Sequence, residues 1–349
     1  MARPAAALPI ALVLCALALL GAGPVAPSDP PSPPAQPASG PGGAAAKWES
    51  IRQVLHDDPD DNLDYWTMEP RGWTSRTKDR PDRLPTTFFL HGYGAMDPVA
   101  YRTWIDHIVK RGNIVVYPRY QANLYVPPPT YTDNAMSALE RAVRWLRRNA
   151  EIPPRLGDGV NLIGHSYGGA VATNVAGRAV AAGLPKPASL LLVNPFVENA
   201  GYRPPVDAMD ADLTGIPPGT EFDCIVADID APAGRLGCDE AWSRTRHLKP
   251  GKRNYIWMFG DDHGSPPLEI SHRAPSIATP TDAFDWFGFW KLGDALTSCS
   301  LDGRNCEYAL GNTREQRWMG AWSDGVAVRK LDVFRKPPPC PPGTQAYGC

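Results

Sequence analysis

The sequence predicts an α/β fold: a mainly parallel central sheet with helices on both faces. Two observations predict it. Short apolar runs alternate with amphipathic segments of helix length, and one run passes without a linker through Gly164-His165-Ser166-Tyr167-Gly168 into a small-residue helix. A chain of 349 residues, 43% hydrophobic and 21% charged, has enough apolar material to bury a full-sized core. Its formal net charge of −2 provides no basic surface for a phosphate backbone, so nucleic acid is not an expected partner.

The elements follow in order. Residues 1–26 begin with one arginine, continue as an apolar run broken by Pro9, and end in small residues, which is the layout of a secretory signal peptide. A retained membrane anchor would need about 20 apolar residues, so the expectation is an exported protein without a stable membrane span. Residues 27–46 are rich in proline, glycine and alanine and read as a linker that cannot fold alone. The folded body is expected over 47–336, and a proline-rich tail over 337–349. Setting aside Cys15 in the apolar leader leaves six cysteines, which fits three disulfides in an oxidising compartment. The short loops favour Cys224 with Cys238, Cys299 with Cys306 and Cys340 with Cys349, and exchange between the last two pairs fits the sequence equally well. No Cys-x-x-Cys or His-x-x-x-His spacing points to a metal, and no cofactor is expected.

Strands are predicted at residues 86–92, 113–118, 160–166, 189–195, 221–228 and 254–260, each a short run of apolar or β-branched residues. A helix is expected over 134–149, with Thr132 or Asp133 as its cap. A second runs over 167–183, closing at Gly183. A third, over 282–296, carries Phe284, Phe287, Trp290 and Leu292, an aromatic face that reads as core.

A lone Gly-x-Ser-x-Gly carries little information. Between a strand and a helix it reads as an elbow that lifts the serine hydroxyl above the sheet, with Gly164 and Gly168 removing side chains that would clash. Ser166 is therefore the expected nucleophile. A serine needs a base, and the base an orienting acid, in the chain order Ser, Asp or Glu, His. Beyond Ser166 stand His247, His263 and His272. His247 reads as a packing residue. His263 directly follows the strand at 254–260 and is the expected base. His272 is the alternative, disfavoured because as base it would need another strand and crossover in too short a stretch. The acid should follow the preceding strand, which offers Asp230, with Asp228 second. An oxyanion requires two backbone N–H donors: Tyr167 after the nucleophile, and Tyr93 in the loop His91-Gly92-Tyr93-Gly94, with Gly94 as its alternative.

On these motifs, residues 84–296 resemble serine hydrolases of the α/β-hydrolase superfamily. "HGYG", "GHSYGG", "IVADIDAP" and "FGDDHGSP" are similar to loops of secreted bacterial lipases and cutinase-like polyester hydrolases. The resemblance implies the α/β-hydrolase fold, a triad of Ser166, Asp230 and His263, and cleavage of a small-molecule, lipid or polymer ester through an acyl-enzyme. The segment 197–219 is longer and more proline-rich than in those enzymes, and "HGYGAMDP" is not their usual oxyanion sequence, so lipid or polyester specificity does not carry over. Residues 197–219 are expected to border the substrate, and whether they form a small lid the sequence leaves open. The same chemistry also serves peptidases and thioesterases, and the same scaffold serves non-catalytic binding domains, which commonly lack a triad member.

Overall fold

The order of the sheet decides where a site can form. In the computed structural model, which describes Met1 and residues 29–74, 80–197 and 208–349, the chain from residue 31 onward is one compact unit. The leader expected at 1–26 lies outside the described residues apart from Met1, as do residues 198–207 of the expected lid. Elements run β1 (Trp48–His56), β2 (Tyr65–Trp73), β3 (Thr86–Leu90), α1 (Arg102–Lys110), β4 (Ile114–Pro118), α2 (Tyr131–Asn149), β5 (Val160–His165), α3 (Tyr167–Arg178), β6 (Pro187–Val193), β7 (Glu221–Ala227), α4 (Leu236–Arg244), β8 (Arg253–Met258), α5 (Trp290–Asp302), α6 (Arg314–Arg317) and β9 (Asp332–Phe334).

The nine strands lie in the order β1-β2-β4-β3-β5-β6-β7-β8-β9. From β4 to β8 all neighbours are parallel, while β1, β2 and β9 add antiparallel edges. All residues of β3, β4, β5 and β7 are buried, as parallel strands covered on both faces must be. One face is covered by α2, α3 and α4, with Leu139, Val143, Val171 and Ala241 in its core. The other is covered by α1 and α5, with Trp104, Val109, Leu292 and Leu296. Phe88 and Phe89 point to opposite faces from adjacent positions of β3 and are fully buried; truncating either to alanine should cost about 3–5 kcal/mol. The chain leaves β3 for β4 on one side and returns to β5 on the other, so the carboxyl ends of β3 and β5 form the switch point where α/β sheets hold ligands.

Local details depart from expectation for identifiable reasons. Helix α2 begins at Tyr131, straight out of a 3-10 turn at Pro128–Thr130. Thr132 and Asp133 therefore sit inside its first turn and do not cap it; Asp133 instead pairs with Arg178 at 2.8 Å. Helix α3 stops at Arg178, five residues before Gly183. The aromatic segment Phe284–Phe289 is π-helical and feeds α5.

Residues 31–46, expected as a linker, are tied to the body. Ser32 and Ser323 exchange hydrogen bonds of 2.9 and 3.0 Å, the Gly42 amide donates to Asp294 Oδ2 at 2.8 Å, and Arg111 donates to the carbonyls of Gly40, Gly43 and Ala45. The segment is a strap without its own core. The described part of the expected lid is also body: Met209, Leu213 and Ile216 are buried, and Asp210 receives two bonds from Arg178 at 2.6 and 2.7 Å. The cysteines pair as Cys224–Cys238, Cys299–Cys306 and Cys340–Cys349. Among the described residues, no helix is long and apolar enough to cross a membrane.

Candidate active site

Ser166 sits between β5 and α3 with φ 56° and ψ −125°, a left-handed conformation that a non-glycine residue adopts only when its surroundings impose it. Three hydrogen bonds impose it. The Ser166 amide donates to Val193 O at 3.1 Å, and its carbonyl receives the amides of Gly169 and Phe196, both at 2.8 Å. The turn is tight enough that a Cβ on Gly164 would strike the Gly168 backbone, and one on Gly168 would strike the carbonyls of Leu90 and His91.

The side chain facing Ser166 belongs to His272. His272 Nε2 is 2.9 Å from Ser166 Oγ, and Nδ1 lies 3.0 and 3.1 Å from the two carboxylate oxygens of Asp230. Asp230 is fully buried, and its Oδ1 accepts the Ala233 amide at 2.9 Å. His263, the residue expected as base, is elsewhere. Its Nε2 bonds Asp324 Oδ2 at 2.8 Å, its ring leans on Trp322, and it stands on the surface away from the cleft. The correction has a structural reason. After β8 the chain makes no further parallel strand but a long loop that folds back through an antiparallel bridge, Asp261 with Leu268. A parallel bridge then pairs Ser271 with Ile229, which sets His272 beside Asp230 without the crossover that had seemed necessary. Asp228, the second candidate acid, is not brought to His272. Its carbonyl accepts from the C-terminal tail. His247 bonds the Ile216 carbonyl at 2.9 Å, a packing contact.

A chain of buried groups ties the loops together. The Gly92 amide donates to Tyr101 Oη at 2.9 Å, Tyr101 Oη lies 2.7 Å from His165 Nδ1, and His165 Nε2 lies 2.8 Å from the His272 carbonyl. A carbonyl only accepts, so Nε2 carries the proton and Nδ1 accepts from the phenol. One neutral tautomer satisfies every contact. Burial first, then the neighbouring His272 ring, pushes His165 down to about 3, against the smaller pull of the His272 carbonyl. Burial likewise pushes His91 down to about 4, opposed by the carbonyls of Gly92 and Arg119 at its two ring nitrogens. Asn194, also left-handed at φ 46°, holds the Ala227 amide with Oδ1 at 2.9 Å and reaches toward the carbonyls of Ser271 and His272 with Nδ2.

In the loop after β3, the amides on either side of Tyr93 are committed, Gly92 to Tyr101 and Gly94 to Gln121 Oε1 at 2.9 Å. The Gly94 amide is therefore not available to a substrate, which removes the alternative donor. Tyr93 Oη donates to Leu124 O at 2.9 Å, holding the loop, while the Tyr167 amide opens α3 next to Ser166. Around these groups lies a cleft of about 1030 Å³ with largely apolar walls, including Tyr93, Tyr167, Phe196, Ile277 and Tyr347, and among its described lining residues Arg273 is the one Asp, Glu, Lys or Arg side chain. The Tyr167 ring stacks on Phe196 at 4.7 Å and meets the tilted ring of Tyr93 at 5.3 Å.

Comparisons with known proteins agree on the scaffold. Residues 87–215 match the model of a family described by its α/β hydrolase fold. A solved structure, carboxyl esterase 2 from the mycorrhizal fungus Tuber melanosporum, is similar with a TM-score of 0.50 at 18% identity, over 72% of this chain and 88% of that one. No curated protein matches the sequence. The chain has the α/β-hydrolase fold.

Within that fold, Ser166, Asp230 and His272 occupy loops after β5, after β7 and after β8, in the order the elbow architecture requires. Among the described residues, the one close group of metal-type ligands is Glu221 with Cys299 and Cys306, and its two sulfurs are joined in a disulfide. Sequence reasoning missed Tyr101, His165 as a connector, Asn194 and Gln121. The only signal for His165 was its place inside the serine motif.

Proposed function

We propose that this α/β hydrolase cleaves carboxylic esters through an acyl-enzyme, with Ser166 as nucleophile, His272 as general base and Asp230 as its orienting acid. The observation that carries the reading is the unbroken line of contacts, 2.9 Å from Ser166 Oγ to His272 and 3.0 Å on to Asp230, opening into a large apolar cleft. His272 Nε2 takes the hydroxyl proton as Oγ attacks the ester carbonyl. Asp230 holds the ring by Nδ1 and stabilises the imidazolium. The amides of Tyr93 and Tyr167 receive the oxyanion, and the dipole of α3 adds to the second. The imidazolium then protonates the departing alcohol. Water, activated by the same histidine, releases the acid.

The fold shared with a fungal carboxyl esterase supports ester chemistry as the direction, and the cleft supports substrates with a bulky apolar acyl or alcohol part. Three disulfides fit an oxidising compartment, so the reading places the enzyme outside the cytosol. The test is hydrolysis of p-nitrophenyl esters together with labelling by a fluorophosphonate. The parent should turn over and be labelled once per chain, and Ser166→Ala should do neither. A Ser166→Ala protein as active as the parent would overturn the reading.

A further inference from the structure

The loop that carries Asp230, residues 228–235 between β7 and α4, is covered along its outer edge by the last residues of the chain. The Gln345 amide and Thr344 Oγ1 donate to the Asp228 carbonyl at 3.0 and 3.1 Å. The Tyr347 amide donates to the Asp230 carbonyl at 3.0 Å, and the Arg235 amide returns a bond to the Tyr347 carbonyl at 2.9 Å. The fit leaves no spare room: Gly234 has φ +55°, and a Cβ there would strike the Tyr347 backbone. Ala346 is buried in the core, and Arg235, paired with Asp239, also reaches Cys340 Sγ at 3.4 Å. Tyr347 itself lines the substrate cleft.

The segment around these contacts is rich in proline and glycine and adds little core of its own. What keeps it in one conformation is the Cys340–Cys349 disulfide, whose two residues are exposed while Cys224, Cys238 and Cys299 are buried. The acid loop is thus held from inside by Cys224–Cys238 at its base and from outside by a second disulfide-closed loop.

We propose that the C-terminal loop of residues 337–349 is a positioning element for the triad: through the bond from the Tyr347 amide to the Asp230 carbonyl it fixes Asp230 against His272, while Tyr347 completes one wall of the cleft. The proposal rests on the Ser166–His272–Asp230 reading. Among the described residues, the tail's hydrogen bonds to the body run to Asp228, Asp230 and Arg235, so it acts on the triad through Asp230.

A double-mutant cycle tests this on the full chain. The perturbations are truncation after Lys336 and, as a variant that keeps all residues, Cys340→Ser with Cys349→Ser. Each is measured in the parent and in Asp230→Asn, by kcat and KM on p-nitrophenyl acetate well below the melting temperature. A displacement of the acid by about 1 Å should lower kcat by about 10- to 100-fold with KM nearly unchanged. In Asp230→Asn the same tail change should add no more than about a twofold loss, because the residue it positions is already disabled. Equal losses in both backgrounds, or no loss in the parent for a folded variant, overturn the proposal. If truncation prevents folding, the cysteine pair variant decides. An Asp230→Asn enzyme as fast as the parent would instead bring down the triad reading beneath it.

Discussion

His165 offers the best-defined perturbation. Its folded value of about 3 lies far below the 6.5 of an exposed histidine, chiefly because it is buried. Below pH 6.5 the unfolded chain therefore binds a proton that the folded chain refuses. Stability is lost as pH falls through 6.5 and goes on falling until about pH 3. Integrated from pH 7.5 to pH 4.5, the loss from this one residue is on the order of 3 kcal/mol. Other buried groups push the opposite way over the same interval, notably Asp285, raised to about 8 by burial, so the parent's pH profile alone does not isolate it. The difference between the parent and His165→Asn does. The variant lacks the titrating ring, and its lost hydrogen bonds to Tyr101 and His272 cost the same at both pH values. Urea unfolding followed by tryptophan fluorescence at pH 7.5 and 4.5 should show the parent losing on the order of 3 kcal/mol more than the variant on acidification. Parallel losses in the two proteins would refute the neutral, buried state assigned to His165 and the hydrogen-bond chain built on it.

Three further outcomes are expected. Asp230→Asn should fold normally and lower kcat on p-nitrophenyl butyrate by about 10⁴-fold, since it leaves the geometry but loses control of the His272 tautomer; a loss under tenfold would contradict the role of the acid. Replacing Cys224 and Cys238 together by alanine should lower stability by about 2–5 kcal/mol in urea titration, because the bridge ties β7 to α4 across the acid loop. Phe196→Ala, which removes the inner ring of the stack with Tyr167, should raise KM for aryl esters about threefold to tenfold while leaving kcat for p-nitrophenyl acetate unchanged.

The parallel centre of the sheet was legible because β3, β4, β5 and β7 are buried on both faces and read as unbroken apolar runs. The edges were not. Strand β1, WESIRQVLH, is half exposed and polar, and β2, YWTMEPRGW, contains Pro70 and Gly72, which argue against a strand unless it lies near an edge. Strand β9 has three residues. At the site, Ser166 was marked by strand, elbow and helix together, and Asp230 by its place just past β7. The sequence favours His263 over His272 because "GDDHGS" offers the right polarity right after β8, whereas the partner that the structure gives His263, Asp324, is 61 residues away and invisible to local pattern. His272 is delivered by two single-residue bridges in an irregular loop, and no periodicity encodes those. The tail was read as proline-rich and bridged, but composition gives no hint of the carbonyls it docks on.

The central claim is that His272 activates Ser166. Its most direct test is kcat/KM for p-nitrophenyl butyrate measured side by side on the parent, His272→Ala and His263→Ala. The account predicts a fall of about 10⁵- to 10⁶-fold for His272→Ala, and a rate within about twofold of the parent for His263→Ala, whose side chain meets Asp324 and Trp322 away from the cleft. A His272→Ala enzyme that keeps its rate while His263→Ala loses it would contradict the account.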